Sequence, residues 1–145
     1  MISTGYEKQA YWAGLIDGEG CIGVYKRNIT SKRGGIRWDM SVSIMITNLS
    51  ILEKIKKEYG GNISNVPIYN ENWKRRWKWK IGGKPALYLV AEIYPWLHIK
   101  RREAEEFLKI LHNHPGNPTR IGHTDEWNQF VTNVGDELKR LKRVA

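Results

Sequence analysis

Cysteine is almost missing from this chain: Cys21 stands alone among 145 residues. A single thiol cannot close an intramolecular disulfide or build a cysteine-based zinc site, so neither staple holds the fold. No apolar run approaches the roughly 20 residues that a membrane span requires. The N-terminus lacks the charged-then-apolar pattern of a secretion signal, which leads to the expectation of an intracellular protein. Low-complexity tracts and linker-like breaks are absent too, and internal repetition is limited to a loose strand–strand–helix echo. Acidic residues are scarce relative to basic ones. Fifteen Asp and Glu face twenty-four Lys and Arg, a formal net charge of +9. Such a surplus points to a polyanionic partner, most commonly nucleic acid; the alternative is a basic protein with no such partner, and the placement of the charge must decide.

What the chain does have is apolar and aromatic material: 41% hydrophobic residues, with seven Trp and seven Tyr. That suffices for one core and excludes wholesale disorder. The length fits a single domain over residues 1–145, with a core over 4–111 and a C-terminal helical extension over 123–143. Thr4 and Glu7 have capping-box spacing and start a helix near Gly5. Lys8 to Asp17 continues it, and Gly18-Glu19-Gly20 ends it. With almost no polar face past its first turn, this helix is expected to be buried on most sides.

Strands are predicted over Cys21–Arg27 and Arg37–Thr47. In the second, Trp38, Met40, Val42, Ile44 and Ile46 alternate with Arg37, Asp39, Ser41, Ser43, Met45 and Thr47, the period of a half-buried strand. Asn48 is a good N-cap for a helix over Leu49–Tyr59, stopped by Gly60-Gly61. A strand over Asn62–Tyr69 contains Pro67, which favours an edge. The next, Trp73–Ile81, places Trp73, Arg75, Trp77, Trp79 and Ile81 on one face and Lys74, Arg76, Lys78 and Lys80 on the other. Four cations along one face repel one another unless anions are near. Nucleic acid would supply those anions; an edge strand guarded by lysines is the other explanation. Helices follow over Pro85–Ile93, with Pro85 at N1, then Trp96–Leu111, with Trp96, Ile99, Ala104, Phe107, Leu108 and Leu111 as apolar contacts, and Thr124–Leu141. The order α-β-β-α-β-β-α-α-α belongs to an α+β chain.

The segment Trp12-Ala13-Gly14-Leu15-Ile16-Asp17-Gly18-Glu19-Gly20, followed by a strand opening Cys21-Ile22, resembles the nine-residue motif of LAGLIDADG homing endonucleases. Further features fall in that family's order. Ile44-Met45-Ile46-Thr47-Asn48 precedes the helix carrying Leu52-Glu53-Lys54-Ile55-Lys56. Trp79-Lys80-Ile81-Gly82-Gly83-Lys84 comes next, then Tyr94-Pro95-Trp96-Leu97 with Lys100-Arg101-Arg102-Glu103-Ala104 beyond. The resemblance covers residues 8–111. It implies a mixed αββαββα fold with C-terminal helices, whose saddle-shaped antiparallel sheet sits in the major groove of double-stranded DNA. One motif per chain implies a homodimer that reads a long near-palindromic site and makes a double-strand break with short 3′ overhangs. The motif helices would pack together through Trp12, Ala13, Gly14, Ile16 and Asp17. Gly14 and Gly18, four apart, share a helix face and would let two backbones approach. A glycine pair packed on the chain's own sheet is the other explanation.

By the same resemblance, Glu19 is catalytic and a metal ligand, joined by the carbonyl of Gly18. The ion is Mg²⁺, with Mn²⁺ or Ca²⁺ able to occupy the site. Phosphodiester hydrolysis needs an activated water, an in-line approach and charge relief at the leaving oxygen, all of which bound Mg²⁺ can supply. As a plain surface acid, Glu19 would sit at the negative end of the helix dipole, where a carboxylate is disfavoured. Asp17 is read as structural, satisfying backbone groups at the helix end. Asn48 and Lys100 match family positions near the catalytic water; each also has an ordinary explanation, as an N-cap and as a solvated lysine beside Arg101 and Arg102. The basic group that some members carry just after the Asn48 position is replaced by Ser50, Ile51 and Leu52. DNA contacts are expected from Tyr25, Arg27, Arg37, Asp39, Ser41, Ser43, Lys74, Arg76, Lys78 and Lys80. Lys32 and Arg33 of the first hairpin loop would reach outlying phosphates.

His112-Asn113-His114 spells HNH, but HNH nucleases spread those residues over a ββα-metal unit, and here they are adjacent. An RNA maturase of the same fold is the alternative function. Basic charge and an aromatic strand would serve RNA equally well, whereas Gly18, Glu19 and Lys100 favour a nuclease. A DNA-binding regulator would carry an added DNA-binding domain. A chain this short, with no protein-splicing domain, is expected to be free-standing or intron-encoded. It would act in intron homing, in a DNA-containing compartment: an organelle, or archaeal, bacterial or phage-infected cytoplasm.

Overall fold

The structure, a computed structural model, describes residues 5–28, 36–112 and 125–144; Thr4 of the expected capping box lies outside them. Helix α1 runs over Gly5–Glu19 and passes without a loop into strand β1, Gly20–Asn28. Gly20 permits this abrupt junction, since a Cβ there would lie 2.8 Å from the backbone of Ile16. Strand β2, Ile36–Ile46, returns antiparallel, with Gly20 opposite Ile44 and Asn28 opposite Ile36. Helix α2, Leu49–Tyr59, is capped as expected: Asn48 Oδ1 accepts from Ile51 N at 3.1 Å. Gly60 and Gly61, at φ of 88° and 91°, then turn the chain through the left-handed region.

Strands β3, Asn62–Asn65, and β4, Trp77–Gly82, complete an antiparallel sheet of order β1-β2-β4-β3. Helix α3, Gly83–Ile93, a 3₁₀ turn over Tyr94–Trp96, helix α4, Arg101–His112, and helix α5, Asp125–Val144, follow. This is the mixed α+β architecture the element order implied. One sheet face, carrying Ile22, Val24, Val42, Ile44, Trp79 and Ile81, is buried under α1 and α3. The indole of Trp79 is fully buried, and its N–H is satisfied by the Gly60 carbonyl at 2.8 Å. Helix α5 packs on α4 and along β1, the open edge of the sheet.

The structure departs from the sequence reading in places with identifiable causes. β4 begins at Trp77 rather than Trp73, and β3 ends at Asn65 rather than Tyr69. The neighbouring strand β2 stops at Ile46, opposite Trp77, because Asn48 caps α2; Trp73–Arg76 therefore have no partner on that side. β3 lies at an edge of the sheet, as expected. β4 is paired on both sides, so its lysines are not edge guards. Pro85 lies two residues past the first residue of α3, still among the first-turn N–H groups that lack intrahelical acceptors. Ile99, expected in the core, is 72% exposed.

The largest difference lies between Trp96 and Arg101, where a continuous helix was expected. The cause is Asp17, only 8% exposed on α1. Its Oδ2 accepts from His98 N at 2.8 Å and its Oδ1 from Lys100 N at 2.9 Å. Two backbone donors given to a carboxylate are not free to continue a helix ladder, so α4 starts afresh, with Ala104 N donating to Lys100 O. Asp17→Ala would take the acceptor from both part-buried donors, each worth about 1–3 kcal/mol. Urea unfolding of the variant is expected to show a loss of about 2–4 kcal/mol with an unchanged slope; a loss below about 0.5 kcal/mol would mean water replaces the carboxylate.

Candidate functional site

Helix α1 has almost no polar face past its first turn, yet it is not buried on most sides. Trp12, Ala13, Ile16 and Asp17 point into this chain's own core, Trp12 donating its indole N–H to Glu58 at 2.9 Å. Tyr11, Gly14 and Gly18 lie on the opposite side and are exposed, with Leu15 half-buried beside them. A Cβ at Gly14 or Gly18 would meet nothing within 4 Å. The glycines are therefore not spacers against the chain's own sheet. Of the residues expected between two motif helices, only Gly14 is on the open face; the others are already covered within one chain. A wide cleft of about 730 Å³ between α1 and α2, lined by Tyr11, Trp12 and Ile51 among others, borders this face.

Glu19 is the last residue of α1, exposed, with no hydrogen bond or ion pair among the described residues. It lines a hollow of about 300 Å³ on the open sheet face, together with Cys21, Tyr25, Ser41, Ser43, Met45, Lys78 and Lys80. Strand alternation puts these residues on one face; antiparallel register puts them side by side, with Cys21 opposite Ser43 and Ser43 opposite Lys80. This hollow holds the sequence-predicted Glu19, whereas the larger cleft lies off the sheet. Lys100, half-buried at the start of α4, donates from Nζ to the Asp17 carbonyl at 2.8 Å. Its ammonium is thereby held at the carbonyl end of α1, adjacent in the chain to Gly18 and Glu19, where a cation offsets the helix dipole. Asn48 caps α2 through its oxygen, which leaves its amide NH₂ as a donor.

Among the described residues no three His, Cys, Asp or Glu gather as a metal cage. What the end of α1 offers is hard oxygen: the Glu19 carboxylate and backbone carbonyls no longer used by the helix. Such a sparse oxygen set suits Mg²⁺, which keeps several waters and accepts phosphate oxygens, and does not suit a zinc site.

Of the expected DNA contacts, Ser43, Lys78, Lys80, Tyr25 and Asp39 share the open face. Lys80 is ion-paired with Asp39 at 2.8 Å, so Asp39 is occupied in the free protein. Ser41, at 4% exposure, is closed off. The Tyr25 ring lies back over Gly23, whose register partner is Ser41. Burial, then the hydrogen bond with Cys21, pushes the Tyr25 phenol up to about 12, so it stays a donor at neutral pH. Lys74 and Arg76, expected on the strand face, are instead exposed in the 66–76 connection. Arg27 and Arg37 are opposite each other in the β1–β2 register; their side chains, and Lys32 and Arg33 altogether, lie outside the described residues.

Two further charged side chains, Lys142 and Glu103, were not singled out from sequence. Lys142, in the basic end of α5, reaches Cys21 Sγ at 3.3 Å across 121 residues. Glu103, 8% exposed on α4, has Oε2 buried without a partner. Period two from Tyr25 would have found Cys21; nothing local marks Glu103. Burial pushes the Glu103 carboxyl above its ordinary range, while Lys142 and Lys100 pull it back. A carboxyl that holds its proton more tightly folded than unfolded supports the fold below its ordinary pKa, and that support is lost as pH rises through the raised value. Glu103→Gln is therefore expected to raise Tm at pH 7 by about 3–6 °C and to give no gain at pH 4, measured by thermal melts.

The sequence model of the LAGLIDADG endonuclease family matches residues 12–111. No curated protein matches the chain in sequence. Solved structures of similar fold include the homing endonuclease I-CvuI in complex with the I-CreI target in the presence of Mg, with DNA not cleaved: TM-score 0.74, 21% identity, 94% of this chain and 82% of that one covered. The archaeal intron-encoded homing endonuclease I-Vdi141I, complexed with DNA, gives a TM-score of 0.70 at 20% identity over 95% of this chain and 86% of the other. The homing endonuclease I-TnaI gives 0.65 at 23% identity, with 93% of each chain covered. At these identities the likeness is one of fold.

Proposed function

Since the chain belongs to the LAGLIDADG endonuclease family, we propose that it is a site-specific DNA endonuclease that acts as a homodimer and hydrolyses one phosphodiester bond in each strand of a long near-palindromic duplex site, leaving short 3′ overhangs. The whole chain serves as one domain, with α5 as an extension packed on its core. The observation that carries this reading is Glu19: an unpartnered carboxylate at a helix end, opening onto a sheet face that carries Lys78 and Lys80. No structural role explains an acid at the negative end of a helix dipole beside a surface built for anions.

The Glu19 carboxylate and the Gly18 carbonyl would hold the divalent ion, Mg²⁺ or, with the same oxygen donors, Mn²⁺ or Ca²⁺. When bound, that ion supplies an acidified water and charge relief at the leaving oxygen. The chain's own groups do the rest. Lys78 and Lys80 draw the duplex onto the sheet and meet phosphates or guanine edges, Lys80 being released from Asp39 or shared with it. Ser43 and the protonated Tyr25 phenol donate to the duplex. Lys100, fixed by Asp17, keeps a positive charge where negative charge grows in the transition state. The free Asn48 amide orients a water or phosphate oxygen. Support for the second copy comes from the open face of α1. Tyr11, Gly14, Leu15 and Gly18 form a stripe at helical spacing, and two glycines on it let a second helix approach closely.

A randomised duplex library incubated with Mg²⁺ is expected to yield discrete cuts with short 3′ overhangs, and Glu19→Gln is expected to lower the rate by about 10³-fold or more while binding persists. Binding without cutting at any sequence would refute the nuclease reading. The dimer is checked separately. Gly14→Leu fills open space and improves helix propensity by about 1 kcal/mol, so the single chain should stay folded. Sedimentation is expected to show a monomer in place of the wild-type dimer, with double-strand cleavage lost; an unchanged dimer would place the interface elsewhere.

A further inference from the structure

The β3–β4 connection, residues 66–76, holds three large apolar side chains in solvent: Ile68 at 44% exposure, Tyr69 at 84% and Trp73 at 51%. A single exposed aromatic needs no explanation, but three such residues within six positions do. The segment is a built turn. Val66 N donates to Arg76 O at 3.1 Å and closes its base, and Trp73 N donates to Asn70 O at 3.0 Å. Asn72 N also donates to Asn70 Oδ1 at 3.0 Å, a side-chain lock on the same turn. Tyr69 and Trp73 therefore flank one hydrogen-bonded reversal. Three exposed cations follow directly, Lys74, Arg75 and Arg76, against one acid, Glu71. Arg75 already lies over an aromatic face, 5.8 Å from the Trp77 ring centre.

Paired bases within a duplex cover one another's faces and offer only edges. Exposed rings beside cations match the opposite case, unpaired bases with free faces and flanking phosphates. We propose that the β3–β4 turn is a single-strand-binding element on which Tyr69 and Trp73 stack unpaired nucleobases while Lys74 and Arg76 neutralise the adjoining phosphates. Stacking and phosphate contact do not read the sugar, so DNA and RNA single strands are bound alike. The element uses neither Glu19 nor the open sheet face and stands independently of cleavage.

The test is fluorescence anisotropy on the full chain without divalent metal, using labelled 12-nucleotide oligo-dT, 12-nucleotide oligo-U and a 12-base-pair duplex. Wild type is expected to bind the two single strands within about threefold of each other. Tyr69→Ala with Trp73→Ala is expected to weaken both by about 30-fold or more and the duplex by less than about threefold, whereas Trp73→Phe retains most of the single-strand affinity. Unchanged thermal melts would confirm that these exposed substitutions leave the fold intact. The proposal is overturned if the double variant binds single strands as wild type does, if strands and duplex weaken equally, or if only one sugar type is bound.

Discussion

Each carboxylate oxygen of Asp17 accepts one backbone N–H from chain more than 80 residues away, and Lys100 returns its ammonium to the carbonyl of the same aspartate. This reciprocal clamp fixes the rotation of α1 about its axis and the start of α4 together. Burying a carboxylate is costly unless it is fully hydrogen-bonded, and here both oxygens are used. The consequence travels one residue at a time. With Asp17 turned inward, Gly18 and Glu19 are turned outward, and Gly14, one helical turn back, shares the open side. The acid, the lysine beside it and the open helix face are thus set by one interaction.

Helix α1 then presents two faces of low polarity. One is filled by the chain's own core; the other carries Tyr11, Gly14, Leu15 and Gly18 with no described neighbour on the glycines. Past its first turn the helix has almost no polar side, and an apolar face left in water favours a covering partner, which is why the proposed function places a second copy there. The open face of the sheet has a parallel incompleteness in charge. Asp39 answers Lys80, and Lys78 has no such partner among the ion pairs described. In the proposed function a polyanion supplies the balance for this surplus positive charge.

Much of this was legible in particular residues. Asn48 capped α2 as its type and place indicated, Gly60 and Gly61 stopped it, and the alternation from Met40 to Ile44 gave the buried face of β2, while Ser41 on the other face is closed off. The structural reading of Asp17 held, although its partners are the backbone of residues 98 and 100 rather than groups of its own helix. Strand ends were less legible. Nothing within Trp73–Arg76 announces that the neighbouring strand has already stopped at Ile46. The interface residues assigned from the motif's linear order mixed the two faces of α1, because a motif is contiguous while a helix face is not.

The amino-acid sequence by itself determined the element order, the Asn48 cap and glycine stop of α2, the apolar sides of β2 and β4 and the family, since these depend on local periodicity, glycine placement and short motifs. Only the tertiary structure decided that Ser41 is closed off, that Lys80 is held by Asp39, that Lys142 reaches Cys21 and that Glu103 is buried unpaired. Each of these depends on groups brought together from distant parts of the chain, where packing and desolvation act on pairs of atoms that no local pattern relates.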